Sequence, residues 1–274
     1  MLASKFGRIS AAQEDRPLTN AEIERAAPSI FAHEAHHSRS QRYTQIPTIE
    51  VLDGLRSEGF QPFFACQTRV RKSDKVEFTK HMLRLRQESA LAGREVNEII
   101  LLNSHDGSSS YQMIAGRFRF VCHNGLIFGD TDADVRVRHK GNVVDDVIEG
   151  AYDVVDHFER VDAHSEAMRA LELPQEAQEA YAKAALEYRF GGQDEAHIPL
   201  TPSQVLLPRR NEDRGNNLWS TFNRVQENLT KGGLTGRTRK GTRRRTRAVT
   251  GIDSDVKLNR ALWTLAESLE EALA

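Results

Sequence analysis

The chain has 274 residues, of which 38 are basic and 39 acidic, so its formal net charge is −1 at neutral pH. This balance excludes a uniformly polycationic protein, and two cysteines are too few for a disulfide scaffold or a cysteine-rich zinc site. No apolar run approaches the roughly 18 residues of a membrane span, and residues 1–20 lack the apolar core of a secretion signal. We therefore expect a cytoplasmic protein with no membrane partner.

The first fifty residues predict an extended segment that contains one short helix. Pro17, Pro28 and Pro47 interrupt any long helix. Within residues 19–32, Thr19 or Asn20 is a suitable N-cap, and an acidic residue follows in the first turn. We assign residues 1–50 to this N-terminal segment and residues 51–274 to an α+β domain.

Residues 55–140 predict an antiparallel sheet. Short segments with period-two alternation are separated by turn residues such as Asp106-Gly107. Asn124-Gly125 is the strongest hairpin signal in the chain, because both central positions of a type I′ turn require a positive φ.

The chain after Gly141 predicts helices, at residues 143–172, from Pro174 to Gly191, at 215–231 and at 254–273. Leucines spaced three and four apart form an apolar stripe on the last helix, which permits a homo-oligomer. The predicted fold class is α+β, an antiparallel meander packed with helices and followed by a helical C-terminal portion.

Four Arg-x-Arg pairs fall in the predicted sheet. Because side chains alternate along a strand, both arginines of a pair share one face. If the four segments are strands of one sheet, its open face carries eight guanidinium groups and favours an anionic partner. The alternative is that these are ordinary solvent-side arginines whose stems cover apolar surface. The candidate nucleic-acid-binding pairs are Arg69 and Arg71, Arg84 and Arg86, Arg117 and Arg119, and Arg136 and Arg138.

A second basic feature is the run at residues 231–247, which has eight positive charges and no acidic residue. The rest of the chain therefore carries a net charge of about −9. Glycine and threonine between the charges predict a flexible basic loop, which either follows a phosphate backbone or is solvated and without a partner. The candidate phosphate-binding residues are Lys231, Arg237, Arg239, Lys240, Arg243, Arg244, Arg245 and Arg247.

Aromatic side chains supply the other part of single-strand binding, because bases stack on them. Tyr111 lies beside a serine run, and Trp219 precedes the basic run, so we take both as candidate stacking platforms.

The sequence contains one cluster of candidate metal ligands, at His33, His36 and His37. The cluster lacks the HExxH spacing, and exposed or core histidines are the favoured interpretation. Catalytic residues stay unknown, and we assign no metal and no cofactor.

Several segments together resemble a known family: residues 28–32 (PSIFA), 38–48, 120–126 (FVCHNGL), 218–223 and 251–260. They are similar to the phage- and plasmid-related family known as domain of unknown function 932. The resemblance implies a bacterial protein carried by prophages, plasmids and conjugative elements. It implies no activity and no catalytic residues.

The order of elements, strands followed by a long helix, is also similar to the core of single-strand-annealing recombinases, although no motif is shared. We therefore predict a protein of mobile genetic elements that binds single-stranded nucleic acid, DNA in preference to RNA, with strand annealing and recombination as an extension. One alternative is a metal-dependent enzyme acting on nucleic acid. Another is a protein-binding module that counters host defence.

Overall fold

A computed structural model describes residues 9–34, 47–68, 70, 73–87, 95–119, 124–128, 134–137, 143–191, 200–238 and 240–273. The chain forms two compact units. The first comprises Met1–Glu159 with Thr250–Ile252, and the second comprises Arg160–Val249 with Asp253–Ala274. This division does not coincide with the boundary expected near residue 50, because a strand of the N-terminal segment pairs with the main sheet.

The α+β fold class is confirmed, and the strands of the first unit form an antiparallel sheet. In chain order, the elements of this unit are β1 (Ile9–Gln13), α1 (Asn20–Ala26), a 3₁₀ turn (Pro28–Phe31), α2 (Thr48–Ser57), β2 (Phe60–Thr68), a second 3₁₀ turn (Ser73–Phe78), β3 (His81–Gln87), β4 (Glu95–Asn103), β5 (Tyr111–Arg119), β6 (Asn124–Ile127), β7 (Val135–Val137) and α3 (Val143–Asp156).

The sheet is a meander in which β1 to β6 pair in sequence order and β7 pairs with β5 at the opposite end from β6. The register pairs Leu83 with Leu101 and Leu85 with Ile99, so these apolar side chains share one face. Helices α1, α2 and α3 pack against the sheet. Met113 lies on this same face and approaches Gly150 of α3, so the face is buried beneath helices.

The N-terminus of α1 confirms the predicted cap. The Thr19 hydroxyl accepts a hydrogen bond from the Glu22 N–H, and the Glu22 carboxylate accepts one from the Thr19 N–H at 2.9 Å. This reciprocal capping box satisfies two N–H groups that the first turn leaves without helical partners. The helix ends at Ala26, because Pro28 disfavours helical backbone at the residue before it.

The prediction of a turn at Asn124-Gly125 is wrong. Both residues belong to β6, where Asn124 pairs with Arg119 and Gly125 with Phe118. Gly125 does not have the positive φ that the turn would require. Its lack of a side chain has another reason: a Cβ there would lie 1.9 Å from Arg84 Nη1. The glycine permits a close approach inside the sheet.

The second unit is mostly helical, as predicted for the C-terminal portion. Its elements are α4 (Phe158–Ala170), α5 (Gln175–Phe190), α6 (Pro202–Val205), a 3₁₀ turn (Asn211–Asp213), α7 (Leu218–Lys231), β8 (Thr235–Arg237), β9 (Arg243–Arg245) and α8 (Ile252–Leu273).

Helix α7 is buried along its length from Leu218 to Thr230. Tyr181 of α5 donates a hydrogen bond to the Leu262 carbonyl of α8, which ties these two helices together. The long helix expected at residues 143–172 is two helices, α3 and α4, which separate at His157. None of the helices in the described ranges is both long and apolar enough to cross a membrane.

Candidate nucleic-acid interface

The arginine pairs of β3 and β5 lie on opposite faces of the sheet. Arg84 pairs with Ile100, which pairs with Ile114, so Arg84 shares a face with Ile114. Arg117 is an odd number of residues from Ile114 on the same strand and therefore points the other way. The expectation of a single arginine face is wrong, although the two arginines within each pair do share a face.

The β3 arginines are buried around one carboxylate, a group we term the Glu98 cluster. Glu98 Oε2 accepts from Arg84 Nη1 at 3.1 Å, and Glu98 Oε1 accepts from Arg86 Nε at 2.8 Å. The Arg86 guanidinium lies 4.4 Å from the ring centre of Phe63 and 4.1 Å from that of Phe118. The two guanidinium groups are thus held by a carboxylate and aromatic faces instead of by solvent.

The β5 arginines form a second group, the Glu95 cluster. Glu95 accepts from Arg119 Nε at 3.1 Å and from Arg117 Nη1 at 3.5 Å, and Asn97 accepts from Arg117 Nε at 2.9 Å. The side chain of Glu95 is 17% exposed, so water reaches this cluster more easily than it reaches Glu98, whose side chain is 0% exposed.

These four arginines are therefore structural in this conformation. The prediction that they are open to a ligand is wrong for Arg84, Arg86, Arg117 and Arg119, which are all less than 7% exposed. The sequence pattern could not show this, because the carboxylates lie on β4, between the two arginine strands. Period-two spacing determines which residues share a face but does not determine which face is covered.

The fourth pair contributes one exposed arginine. The side chain of Arg136 on β7 is 63% exposed and lies 3.9 Å from Asp134. Arg69, Arg71 and Arg138, the other predicted ligands of this sheet, lie outside the described residues.

Both candidate stacking platforms are buried. Tyr111 is 0% exposed, and its hydroxyl lies 3.2 Å from Thr48 Oγ1. Trp219 is 5% exposed, stacks on Phe222 with ring centres 5.9 Å apart, and has the Arg169 guanidinium 4.6 Å from its ring centre. Neither ring offers a face to a base in this structure.

The basic run forms an antiparallel β-hairpin where the sequence predicts a flexible loop. We term strands β8 and β9 with their connecting residues the basic hairpin. Its register pairs Thr235 with Arg245, Gly236 with Arg244, and Arg237 with Arg243. Every residue of β9 is exposed. In the connection, the Thr238 N–H donates to the Thr242 carbonyl at 2.8 Å, and the Gly241 N–H donates to the Thr238 carbonyl at 2.8 Å.

The predicted phosphate ligands of the run are almost all brought together on this hairpin or at its base. Arg237, Lys240, Arg243, Arg244, Arg245 and Arg247 are exposed, Lys231 is partly exposed, and Arg239 lies outside the described residues. Within the described residues, no carboxylate forms an ion pair with Arg243, Arg244, Arg245 or Arg247. Arg243, Arg244, Arg245 and Arg247 thus give the hairpin a dense, solvent-exposed positive charge.

Two glycines let the hairpin start directly after α7. Gly232 has φ +60°, and a Cβ on it would lie 2.6 Å from the carbonyl carbon of Arg247. Gly233 has φ +82°, its N–H donates to the Thr246 carbonyl at 2.9 Å, and its carbonyl accepts from Arg245 Nε at 2.8 Å. Positive φ and the close strand approach both require residues without a side chain here.

Further cations that the sequence analysis missed surround the base of the hairpin. Arg209 donates to Asn228 Oδ1 and to the Gly232 carbonyl, which attaches the hairpin base to α7. Burial lowers the pKa of Arg209, and the positive charges of Arg210 and Arg245 add to that effect against the attraction of Glu227. Arg209 and Arg210 are visible in the sequence as two adjacent cations. Because they lie far before the basic run in the sequence, nothing there indicates that they contact the base of the hairpin.

Glu227 is a buried carboxylate close to the cations at the base of the hairpin. Glu227 Oε1 accepts from Lys231 Nζ at 2.6 Å and from Arg210 Nη2 at 3.1 Å. Burial by itself would raise the pKa of Glu227, but the hydrogen bond and charge of Lys231, together with Arg210, outweigh burial, and the pKa lies below its ordinary value. Glu227 therefore stays ionised and neutralises part of the charge at the hairpin base.

The candidate metal ligands are not assembled in the part of the chain that is described. His33 is exposed, and His36 and His37 lie outside the described residues. No group of three or more histidine, cysteine, aspartate or glutamate side chains with metal-binding geometry occurs among the described residues.

A buried polar network at one end of the sheet was also missed. Thr48 Oγ1 lies 2.9 Å from His81 Nε2, 3.3 Å from His105 Nε2 and 3.2 Å from the Tyr111 hydroxyl, and it accepts from Asn103 Nδ2 at 3.1 Å. These residues are all 0% exposed. The network joins α2 to three strands of the first unit.

Comparison with known proteins assigns the family. The family described as Domain of unknown function (DUF932) matches residues 35–263. The chain belongs to the DUF932 family. Two relatives from Escherichia coli (strain K12), the UPF0380 proteins YafZ and YfjQ, are each 60% identical over 268 residues, which cover 98% of this chain and 97% of the relative. No solved structure is significantly similar to the chain.

The DUF932 match includes the sheet from β2 onward, both arginine clusters and the basic hairpin. Helix α1 and its capping box precede the match. The predicted resemblance to the DUF932 family is thereby confirmed, while the link to phages and plasmids stays a prediction.

Proposed function

We propose that the protein binds nucleic acid through the basic hairpin. The observation that carries this proposal is the side-by-side exposure of Arg243, Arg244 and Arg245 on β9, with no ion-pairing carboxylate among the described residues. Arginine forks and backbone phosphates match in charge and in planar geometry.

The charge arrangement on the hairpin favours a polyanion over solvent. Arg237 stands directly opposite Arg243 across the two strands, and like charges in this position destabilise a hairpin. An isolated two-stranded sheet is only marginally stable in water. A phosphate between the two guanidinium groups removes the repulsion, so binding and hairpin stability support each other.

In the sequence, arginines together with two candidate stacking platforms favour a single strand as the partner. With Tyr111 and Trp219 buried, phosphate contacts supply the affinity, and binding depends strongly on salt. We extend the proposal to a cytoplasmic location, where nucleic acid is accessible to the protein. Strand annealing, recombination and carriage on mobile elements remain predictions. Nucleic-acid binding has to be established before any of them is tested.

The test is fluorescence anisotropy of the full chain with labelled oligonucleotides over a series of salt concentrations, with chelator present. The hairpin variant carries Arg243→Ala, Arg244→Ala and Arg245→Ala. We expect it to lose affinity at least about tenfold and to show a salt slope smaller by roughly 2 to 3, since each phosphate contact contributes about 0.7 to 0.9.

The matched control removes three exposed cations from the same unit, with Lys183→Ala, Arg214→Ala and Lys257→Ala. It changes net charge by the same amount, and we expect it to bind like wild type apart from a small uniform loss. If wild type binds neither single-stranded nor double-stranded nucleic acid at the lowest salt, or if both variants lose affinity equally, the proposal is wrong.

A further inference from the structure

We propose that the basic hairpin enters the major groove of B-form DNA, so that the partner of this protein is duplex DNA rather than a single strand or an RNA duplex. This inference rests on the proposed function and specifies the ligand of the same site. It reverses the single-strand preference that the sequence suggested.

The first reason is the chemistry that the hairpin lacks. Proteins that bind single strands gain about 1 to 3 kcal/mol for each base stacked on an aromatic ring. Residues 231–249 contain no aromatic residue. Trp219 and Phe222, the rings nearest in sequence, are 5% and 0% exposed. A single strand would gain only phosphate contacts here, which a duplex offers at higher density.

The second reason is the dimension of the element. Two paired strands lie about 4.8 Å apart. The major groove of B-form DNA is about 12 Å wide and admits such a ribbon, whereas the deep, narrow major groove of an RNA duplex does not. A paired ribbon with exposed arginines therefore fits a DNA duplex and is excluded from an RNA duplex.

The third reason is the distribution of the arginines over the ribbon. The register places Arg237, Arg243 and Arg245 on one face, while Arg244 points to the other face opposite Gly236. Three guanidinium groups on one face of the ribbon form a set that can reach base edges. Arginine, like lysine, can bind O6 and N7 of guanine in a bidentate manner, which is the commonest specific contact in the major groove.

The ends of the hairpin carry cations suited to the walls of the groove. Lys240 lies at the turn, and Arg247 follows β9, and both are exposed. From these ends, the two side chains can contact phosphates, while the central arginines reach base edges and still neutralise the charge of the phosphates that line the groove. This division between phosphate contacts that position a protein and base contacts that specify a sequence is general in DNA recognition.

The hairpin is also held in place before a ligand binds. Arg245 Nε donates to the Gly233 carbonyl, and Arg209 ties the Gly232 carbonyl to Asn228 of α7. The Val249 N–H donates to the Thr230 carbonyl at 2.8 Å, which closes the hairpin base on its other side. A fixed ribbon loses less conformational freedom on entering a groove than a flexible loop does.

The experiment compares three probes of one guanine-containing sequence, a DNA duplex, its component single strand and the corresponding RNA duplex, with the full chain at fixed salt. We expect the DNA duplex to bind at least about tenfold more tightly than either of the others. Dimethyl sulfate footprinting, which reads guanine N7 in the major groove, should show protection by wild type and less protection by the Arg243→Ala variant.

The outcomes separate this inference from the proposed function. If no probe binds, both fail. If the single strand or the RNA duplex binds as tightly as the DNA duplex, or if the DNA duplex binds without protection of guanine N7, the groove assignment fails and nucleic-acid binding stands. Folding of each variant is checked by circular dichroism, and Arg243→Lys, which keeps the charge but not the planar fork, should keep most of the affinity and more N7 protection than Arg243→Ala.

Discussion

Gly125 on β6 lies against the guanidinium of Arg84 on β3, although strands β4 and β5 separate them in the sheet. A Cβ at position 125 would lie 1.9 Å from Arg84 Nη1. Gly125 and Arg84 can approach each other because the sheet curls. The curled sheet also encloses the Glu98 cluster, in which the Arg86 guanidinium lies against the rings of Phe63 and Phe118. A glycine that looks like a turn residue in the sequence is therefore required by a packing contact across the sheet.

The first prediction concerns this contact. Gly125→Ala should destabilise the protein by about 1 to 3 kcal/mol in urea unfolding, because the methyl group displaces a guanidinium that Glu98 holds at 3.1 Å. In an Arg84→Ala background, the same substitution should cost less than about 1 kcal/mol. Equal costs in the two backgrounds would show that the contact does not explain the glycine.

The second prediction concerns Glu98. Glu98→Gln should lower the free energy of unfolding by about 3 to 5 kcal/mol, because it removes the charge that compensates two buried guanidinium groups. Glu95→Gln is the matched control on the same strand. It should cost about 1 to 2 kcal/mol, because water reaches the 17% exposed Glu95 side chain and screens its arginines. Similar costs for both variants would contradict this explanation.

The third prediction concerns the buried polar network. Thr48→Val keeps the shape of the side chain but removes the hydroxyl that contacts His81, His105, Tyr111 and Asn103. We expect a loss of about 3 kcal/mol or more in thermal or urea unfolding, because each buried polar group that loses a bond costs about 1 to 3 kcal/mol.

Thr48→Ser is the control for that prediction. It keeps the hydroxyl and removes one methyl group, so it should cost about 1 kcal/mol. If Thr48→Val were as stable as Thr48→Ser, the hydroxyl would make no net contribution to stability, and the prediction would be wrong.

The fourth prediction compares two glycines with positive φ in and beside the basic hairpin. Gly232→Ala combines an unfavourable φ with a Cβ 2.6 Å from the Arg247 backbone, so it should displace the hairpin base and weaken nucleic-acid binding. Gly241→Ala, at the turn, has φ +78° but nothing within 4 Å of its Cβ. It should lower the free energy of unfolding by only about 1 to 2 kcal/mol, which is the cost of a positive φ for a residue with a side chain. If the two variants bind equally, the hairpin base does not position the site.

The fifth prediction concerns pH. The pKa of Glu227 is lowered by Lys231 and Arg210, so its contribution to stability is complete above the ordinary glutamate pKa of 4.5 and is lost as the pH falls toward the lower folded value. The stability difference between wild type and Glu227→Gln should therefore shrink when unfolding is measured below pH 4.5. Glu176→Gln, which removes an exposed carboxylate of α5, should change stability much less at neutral pH.

The amino-acid sequence by itself determined the elements that depend on near neighbours. The Thr19 cap, the helix stops at Gly191 and Gly232, and the alternation that makes residues 55–140 a sheet are local, because a few adjacent residues decide each one. The α+β class follows from the sum of these local preferences.

Tertiary structure alone decided which arginines are available. Arg84 and Arg243 occur in similar Arg-rich segments, yet one is buried against Glu98 and the other is exposed on β9. Arg84 is covered by Glu98 of the neighbouring strand β4 and by Gly125 of β6, which the curl of the sheet brings against it. Arg243 lies on a separate two-stranded hairpin in which every residue of β9 is exposed. Burial is a property of what covers a face, and the spacing of residues along one strand carries no information about that cover.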